Sequence, residues 1–157
     1  MQPAGAERGY RLILAAVSER REGLYTVEYA ARLAAASGAR LVVYHAVDPA
    51  GIPLPEDSPL YREVLARLRA RARALLEAAR AIAESLGVGE VETLKMEGDP
   101  VEGLWRAVEL AGDPDLIVIG YPQRRLLGAL TSRALRIVRG APSSVLVVAP
   151  PAPGRGA

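Results

Sequence analysis

Five runs of apolar or alternating residues, separated by four stretches of helical period, organise the chain. The runs at 11–17 (RLILAAV), 41–47 (LVVYHAV), 115–120 (DLIVIG) and 144–149 (SVLVVA) are nearly continuous in apolar character, as strands covered on both faces are. The run at 90–96, centred on VETLKM, alternates and predicts a strand at a partly exposed edge. Ser18 to Gly23 makes a turn into a helix over 24–37, where Leu24, Val27, Ala30, Ala31 and Ala34 share a face and Gly38 supplies the stop. After DPAGIPLPEDSP, a loop with four prolines, Ser58 caps a long helix with Pro59 at its first position. Its stripe is Tyr61, Leu65, Leu68, Ala72, Leu75, Ala79, Ile82 and Leu86, with Arg62, Arg69, Arg73 and Arg80 interleaved with glutamates on a solvated face. A Gly98-Asp99-Pro100 turn opens a helix over 101–111 in which Val101, Leu104, Trp105 and Val108 face inward. Thr131-Ser132 caps a last helix with apolar positions Leu135, Ile137 and Val138, stopped by Gly140 and Pro142.

Strands and helices alternate, so the expected fold is α/β: a single five-stranded parallel sheet with helices on both faces. Right-handed crossovers place the Gly120 loop at the carboxyl edge, where open sheets of this kind bind ligands. At 157 residues the chain fits one domain over 10–150, flanked by mobile tails at 1–9 and 151–157. There is no cysteine for disulfides, thiolate metal sites or thiol catalysis, and the single histidine, His45, argues against a zinc site and reads as structural. A net charge of +2 implies no nucleic-acid partner, although nineteen arginines stand beside one lysine. No apolar run is long enough to span a bilayer and MQPAGAERGY has no apolar signal core, so the expected address is cytoplasmic, with no membrane partner. The absence of Asn and Cys fits heat adaptation. A GC-rich genome, which favours Ala, Arg, Gly and Pro, accounts for the composition as well.

The segment DLIVIGYPQRRLLGALTSRALRIVRGAPSSVLVVAP, with the Gly-Asp-Pro turn and the amphipathic helix ahead of it, resembles the universal stress proteins. The resemblance extends over nearly the whole chain. It implies a Rossmann-like fold of the adenine nucleotide alpha hydrolase-like type with strand order 3-2-1-4-5, and hence a switch point between the first and fourth strands. Nucleotide-binding members carry a Gly-x-x-Gly loop followed by Gly-Ser or Gly-Thr. Here Gly120 matches the first glycine, the second falls on Gln123, and the later pair falls on Thr131-Ser132 after a shorter loop. Matched residue by residue, the resemblance implies an adenine-nucleotide site with Ser18 where relatives carry a nucleoside-holding aspartate. Ala46, following His45, and Ile119 then lie beside the base, with Gly120, Gln123, Thr131 and Ser132 around the phosphates. Arg124 and Arg125 add positive charge to that end. Ser18 also reads as a helix cap.

Other chemistries find less support: Gly-x-Ser-x-Gly, Walker A, His-Glu-x-x-His, His-x-Gly-His and Ser-Gly-Gly-x-Asp-Ser sequences are absent, and Asp99 and Asp113 read as turn and cap residues. An enzyme is therefore not expected. Val145, Leu146, Val147 and Val148 sit on a last strand with nothing after it to cover its edge, which predicts a homodimer through that strand, as the resemblance also implies. Two functions follow. One is a stress-response or regulatory interaction module, dimeric and nucleotide-free, with a degenerate site at which any ATP or other adenine nucleotide would bind weakly; the glycine departures favour it. The alternative is an ATP-binding switch.

Overall fold

The computed structural model describes residues 9–121 and 132–149. Within them the order is β1 (Leu12–Ala16), α1 (Arg21–Ser37), β2 (Arg40–Val47), α2 (Pro59–Ser85), β3 (Val91–Glu97), α3 (Pro100–Ala111), β4 (Leu116–Gly120), α4 (Ser132–Gly140) and β5 (Ser144–Val148). The strands form one parallel sheet in the order β3-β2-β1-β4-β5, as expected. The tails beyond residues 9 and 149 and the segment 122–131, which holds Gln123, Arg124, Arg125 and Thr131, lie outside the described residues.

The central strands read as apolar runs because both of their faces are covered. Ile13, Ala15, Leu41, Val43 and Val118 pack on one face against Val27, Ala31 and Ala34 of α1 and Leu76, Ala79 and Ala83 of α2. Leu14, Val42, Tyr44, Ile117 and Ile119 pack on the other against Leu104 and Val108 of α3 and Ala134 and Ile137 of α4. Asp115 locks the start of β4 to β1 by accepting from the backbone N–H groups of Arg11 and Leu12 at 2.8 and 3.0 Å. These bonds hold its carboxyl below the ordinary carboxylate range.

The helix starts and faces show where local pattern and tertiary packing diverge. Ser58 caps α2 through Tyr61 N–H at 3.1 Å, and Asp99 caps α3 through the N–H groups of Val101 and Glu102 at 3.0 Å, both as expected. Ser18, in contrast, caps nothing: α1 begins at Arg21 with Arg20 as an N-cap that makes no side-chain bond. Gly23, expected in the turn, is inside the first turn of the helix because the Ser18 carbonyl lies over it. In α2 the buried positions are Ala72, Leu76, Ala79 and Ala83, one register from the expected Leu75 and Ile82, which are half-buried. In α4 Ala134 and Ile137 are buried, whereas the expected Leu135 and Val138 are exposed. The small Ala134 permits close approach to the sheet, and one helical turn of contact is satisfied without the larger side chains.

The two sheet edges differ. At β3, the guanidinium of Arg80 from α2 donates to the Val91 carbonyl at 2.7 Å, and Arg69 pairs with Glu97. At β5, Val145, Leu146 and Val147 are half-buried and, among the described residues, pair with β4 alone. No helix among the described residues is long and apolar enough to cross a membrane.

Candidate functional site

Strand order reverses between β1 and β4, so the connections leaving their carboxyl ends lead to helices on opposite faces, α1 and α4, and a cleft of about 430 Å3 opens there. The parallel register sets Tyr44 opposite Ala16 and Ala16 opposite Ile119, and these three side chains form the floor. Ala46, two residues beyond Tyr44, is on the same face of the pleat and extends it. One wall carries Ser18, Glu19 and Arg20 from the β1–α1 turn together with His45 and Asp48. The facing wall is Pro100 and Leu104 of α3 with Arg133, Ala134 and Ile137 of α4.

Of the residues expected at a site, Ser18, Ala46, Ile119 and Gly120 thus meet around one cleft. Ser132, exposed at the start of α4, precedes the two residues of that turn that line it. Gln123, Arg124, Arg125 and Thr131 lie outside the described residues. Gly120 has a packing role of its own: a Cβ there would fall 2.6 Å from the hydroxyl of Thr26, which is buried and donates to the Glu22 carbonyl at 2.8 Å. A glycine at this position is what lets α1 close onto the end of β4.

Tyr44, Glu19, Thr26, Asp48 and Arg133 were not singled out from the sequence. The two-residue repeat of a strand would have paired Tyr44 with Ala46, and Glu19 follows directly on Ser18 at the switch point. Thr26 and Arg133 carry no such signal, since each reaches the cleft only through the packing of its helix. Tyr44 is 3% exposed, and its hydroxyl donates to the Pro100 carbonyl at 2.7 Å. Burial, then the charge of Asp99, push its ionisation up, with Arg133 opposing. It stays a neutral wedge between β2 and α3. Arg136, one turn beyond Arg133, pairs with Asp99 at 3.3 Å and ties α4 to the cap of α3. The backbone bond from Glu102 N–H, and after it that pairing, hold the Asp99 carboxyl low.

His45 is buried, and its Nδ1 lies 2.8 Å from the Val17 carbonyl. A carbonyl only accepts, so Nδ1 carries the proton and ties β2 to the end of β1, the structural part expected of this residue. Its Nε2 lies 3.8 Å from a carboxylate oxygen of Glu19. Among the described residues no cluster of His, Cys, Asp and Glu is arranged to hold a metal ion. The cleft therefore combines an apolar floor with hydrogen-bonding groups and both signs of charge on its walls, the chemistry of a small polar ligand with a flat apolar part.

Comparison with known proteins places this architecture. The family model described as the universal stress protein family matches residues 9–149. Among curated proteins no match is found. Among solved structures, universal stress protein UspA from Lactobacillus plantarum is 22% identical, with a TM-score of 0.77 over 88% of this chain and 97% of that one. A universal stress protein in complex with cAMP is 24% identical, with a TM-score of 0.68 over 90% and 98% of the two chains. The universal stress protein from Archaeoglobus fulgidus in complex with dAMP is 20% identical, with a TM-score of 0.61 over 88% and 98%. At these identities the structures speak for the fold; the family match over 9–149 speaks for descent, and this chain belongs to the universal stress protein family.

Proposed function

We propose that the protein is a regulatory member of its family that binds an adenine nucleotide, weakly and without turnover, in the cleft between β1 and β4. The observation that carries this reading is the preformed cleft itself, whose floor of Ala16, Tyr44 and Ile119 offers a face to a base between walls bearing Arg20 and Arg133. Its volume falls within the range of about 300–1,000 Å3 usual for small-ligand sites. The cAMP and dAMP complexes of similarly folded family members support the choice of adenine nucleotides. Weakness follows from the sequence, where Gln123 and Thr131 replace two glycines of the pattern. Each backbone hydrogen bond lost to a charged phosphate removes on the order of 1.5–3 kcal/mol, so two weaken binding by about a hundredfold or more. Arginine contacts return part of this and make the remainder sensitive to salt. Titration calorimetry with AMP, cAMP, dAMP and ATP is expected to give saturable, salt-weakened binding in the high micromolar range. The absence of binding by all four at millimolar concentration refutes the reading.

A second reading, a nucleotide-free interaction module, is favoured by the contact between Gly120 and Thr26, which accounts for that glycine by packing alone. In either case the proposal includes a homodimer through β5, supported by the half-buried Val145, Leu146 and Val147 on a free edge.

A further inference from the structure

The wall formed by the β1–α1 turn holds a pair of groups whose chemistry narrows the ligand. In the tautomer whose Nδ1–H donates to the Val17 carbonyl, the other ring nitrogen of His45, Nε2, is an acceptor and lies 3.8 Å from a carboxylate oxygen of Glu19. That separation is too long for a hydrogen bond, and Glu19 in any case brings only acceptor oxygens as a carboxylate. Two acceptors therefore stand side by side in the cleft with no donor between them. The Ser18 hydroxyl nearby forms no hydrogen bond with a described residue. Such a pair is complemented by two adjacent donors on the ligand.

We infer that Glu19 and His45 recognise a vicinal diol, the 2′,3′-hydroxyls of a ribose, one hydroxyl donating to the Glu19 carboxylate and the other to His45 Nε2. This rests on the nucleotide reading of the cleft and makes it specific: the site prefers ribonucleotides to deoxyribonucleotides. Within a nucleotide the alternative double donor is the exocyclic amine of adenine. The diol is the better match because its two hydroxyls diverge from neighbouring carbons and each meets one acceptor, while the face of the base is left to the apolar floor. Asp48, on the same wall, is occupied as the cap of the turn after β2, accepting from Ala50 N–H at 3.0 Å, and is not part of the pair.

The test is calorimetry on the full chain with AMP, 2′-deoxy-AMP and IMP, for the unmodified protein, Glu19→Ala and His45→Asn. Asparagine places its amide nitrogen near the Nδ1 position, so it keeps the bond to Val17 while removing Nε2. The unmodified protein is expected to bind AMP about tenfold more tightly than 2′-deoxy-AMP, the value of one hydrogen bond to a charged group. In Glu19→Ala, which removes the partner of the 2′-hydroxyl, the ratio is expected to fall to about one; in His45→Asn, which removes the partner of the 3′-hydroxyl that both nucleotides carry, both affinities are expected to fall with the ratio kept, a split that a purely structural role for either residue would not produce. Equal affinity for AMP and 2′-deoxy-AMP in the unmodified protein overturns the inference while leaving the nucleotide reading standing. So does a preserved ratio in Glu19→Ala. Weak IMP binding beside equal AMP and 2′-deoxy-AMP binding assigns the pair to the base amine and overturns the diol. If none of the three binds at millimolar concentration, the reading of the cleft fails and the inference with it.

Discussion

Replacing Gly23 by alanine sets two magnitudes of opposite sign against each other. Gly23 lies in the first turn of α1, where alanine is the better helix former by about 1 kcal/mol. Yet a Cβ at this position would fall 1.9 Å from the carbonyl oxygen of Ser18. An ordinary C···O approach is about 3.3 Å, so roughly 1.4 Å must be recovered by moving the backbone that carries Ser18 and Glu19. The obstacle is main chain, so no rotamer change relieves it, and the cost belongs at the upper end of the roughly 1–3 kcal/mol typical of overpacking. The clash wins: the net destabilisation is about 2 kcal/mol, or about 4–8 °C in midpoint for a domain of this size. Thermal and urea unfolding followed by circular dichroism measure it. Gly89→Ala is the control, because nothing lies within 4 Å of its Cβ position and its φ is not positive, so it is expected to match or slightly exceed the unmodified protein. A Gly23→Ala protein as stable as the unmodified one would refute the reasoning that this glycine exists to let the β1–α1 turn fold back over the helix.

Acid titration should expose the carboxylates that hold the frame together. Asp99 and Asp115 ionise below the ordinary carboxylate value, so the stability they contribute is present at neutral pH and is lost as pH falls through their lowered folded-state values, below about pH 4. Asp115→Ala, compared with the unmodified protein by urea unfolding from pH 7 to 2, should be less stable at pH 7 and show a shallower loss below pH 4; a parallel loss in both proteins would contradict the assignment. Val147→Arg introduces a charge into the middle of β5, and light scattering is expected to show a dimer mass for the unmodified protein and a monomer mass for the variant. A monomer in both cases removes the dimer. Arg133→Ala should reduce the preference for AMP over adenosine by about tenfold in calorimetry, since a guanidinium on a phosphate contributes a charge-assisted bond. An unchanged preference would place the phosphate elsewhere.

The frame was readable because its cause is local. Strands covered on both faces must be apolar throughout, and Leu12–Ala16 and Leu116–Gly120 are, while caps such as Ser58 and Asp99 bond backbone groups two or three residues away. Where the cause is distant, the reading failed. The start of α1 has no capping side chain to announce it, and Gly23 resembles a helix breaker until the Ser18 carbonyl is set above it. Leu135 and Val138 look like a core face, but α4 meets the sheet through Ala134 and Ile137. The site divides in the same way. Ser18, Ala46, Ile119 and Gly120 follow from strand ends and topology, whereas Thr26 and Arg133 reach the cleft through two helix placements that no spacing encodes.

The unequal edges of the sheet limit how large an assembly can grow. A sheet with two open margins is a unit of a polymer, because each copy that joins offers a fresh margin to the next. Here the β3 margin is blunted by charged side chains of the same chain: Arg80 occupies the Val91 carbonyl, Arg69 pairs with Glu97, and the charged Lys95 stands between. Among the described residues the β5 margin is the one left to meet a second copy in the proposed dimer. Two such margins brought together by a two-fold axis consume each other, and the outer borders of the combined ten-strand sheet are then both β3. In the proposed dimer growth would stop at two, and a variant that strips the arginines from α2 would be expected to lose that limit and form longer assemblies.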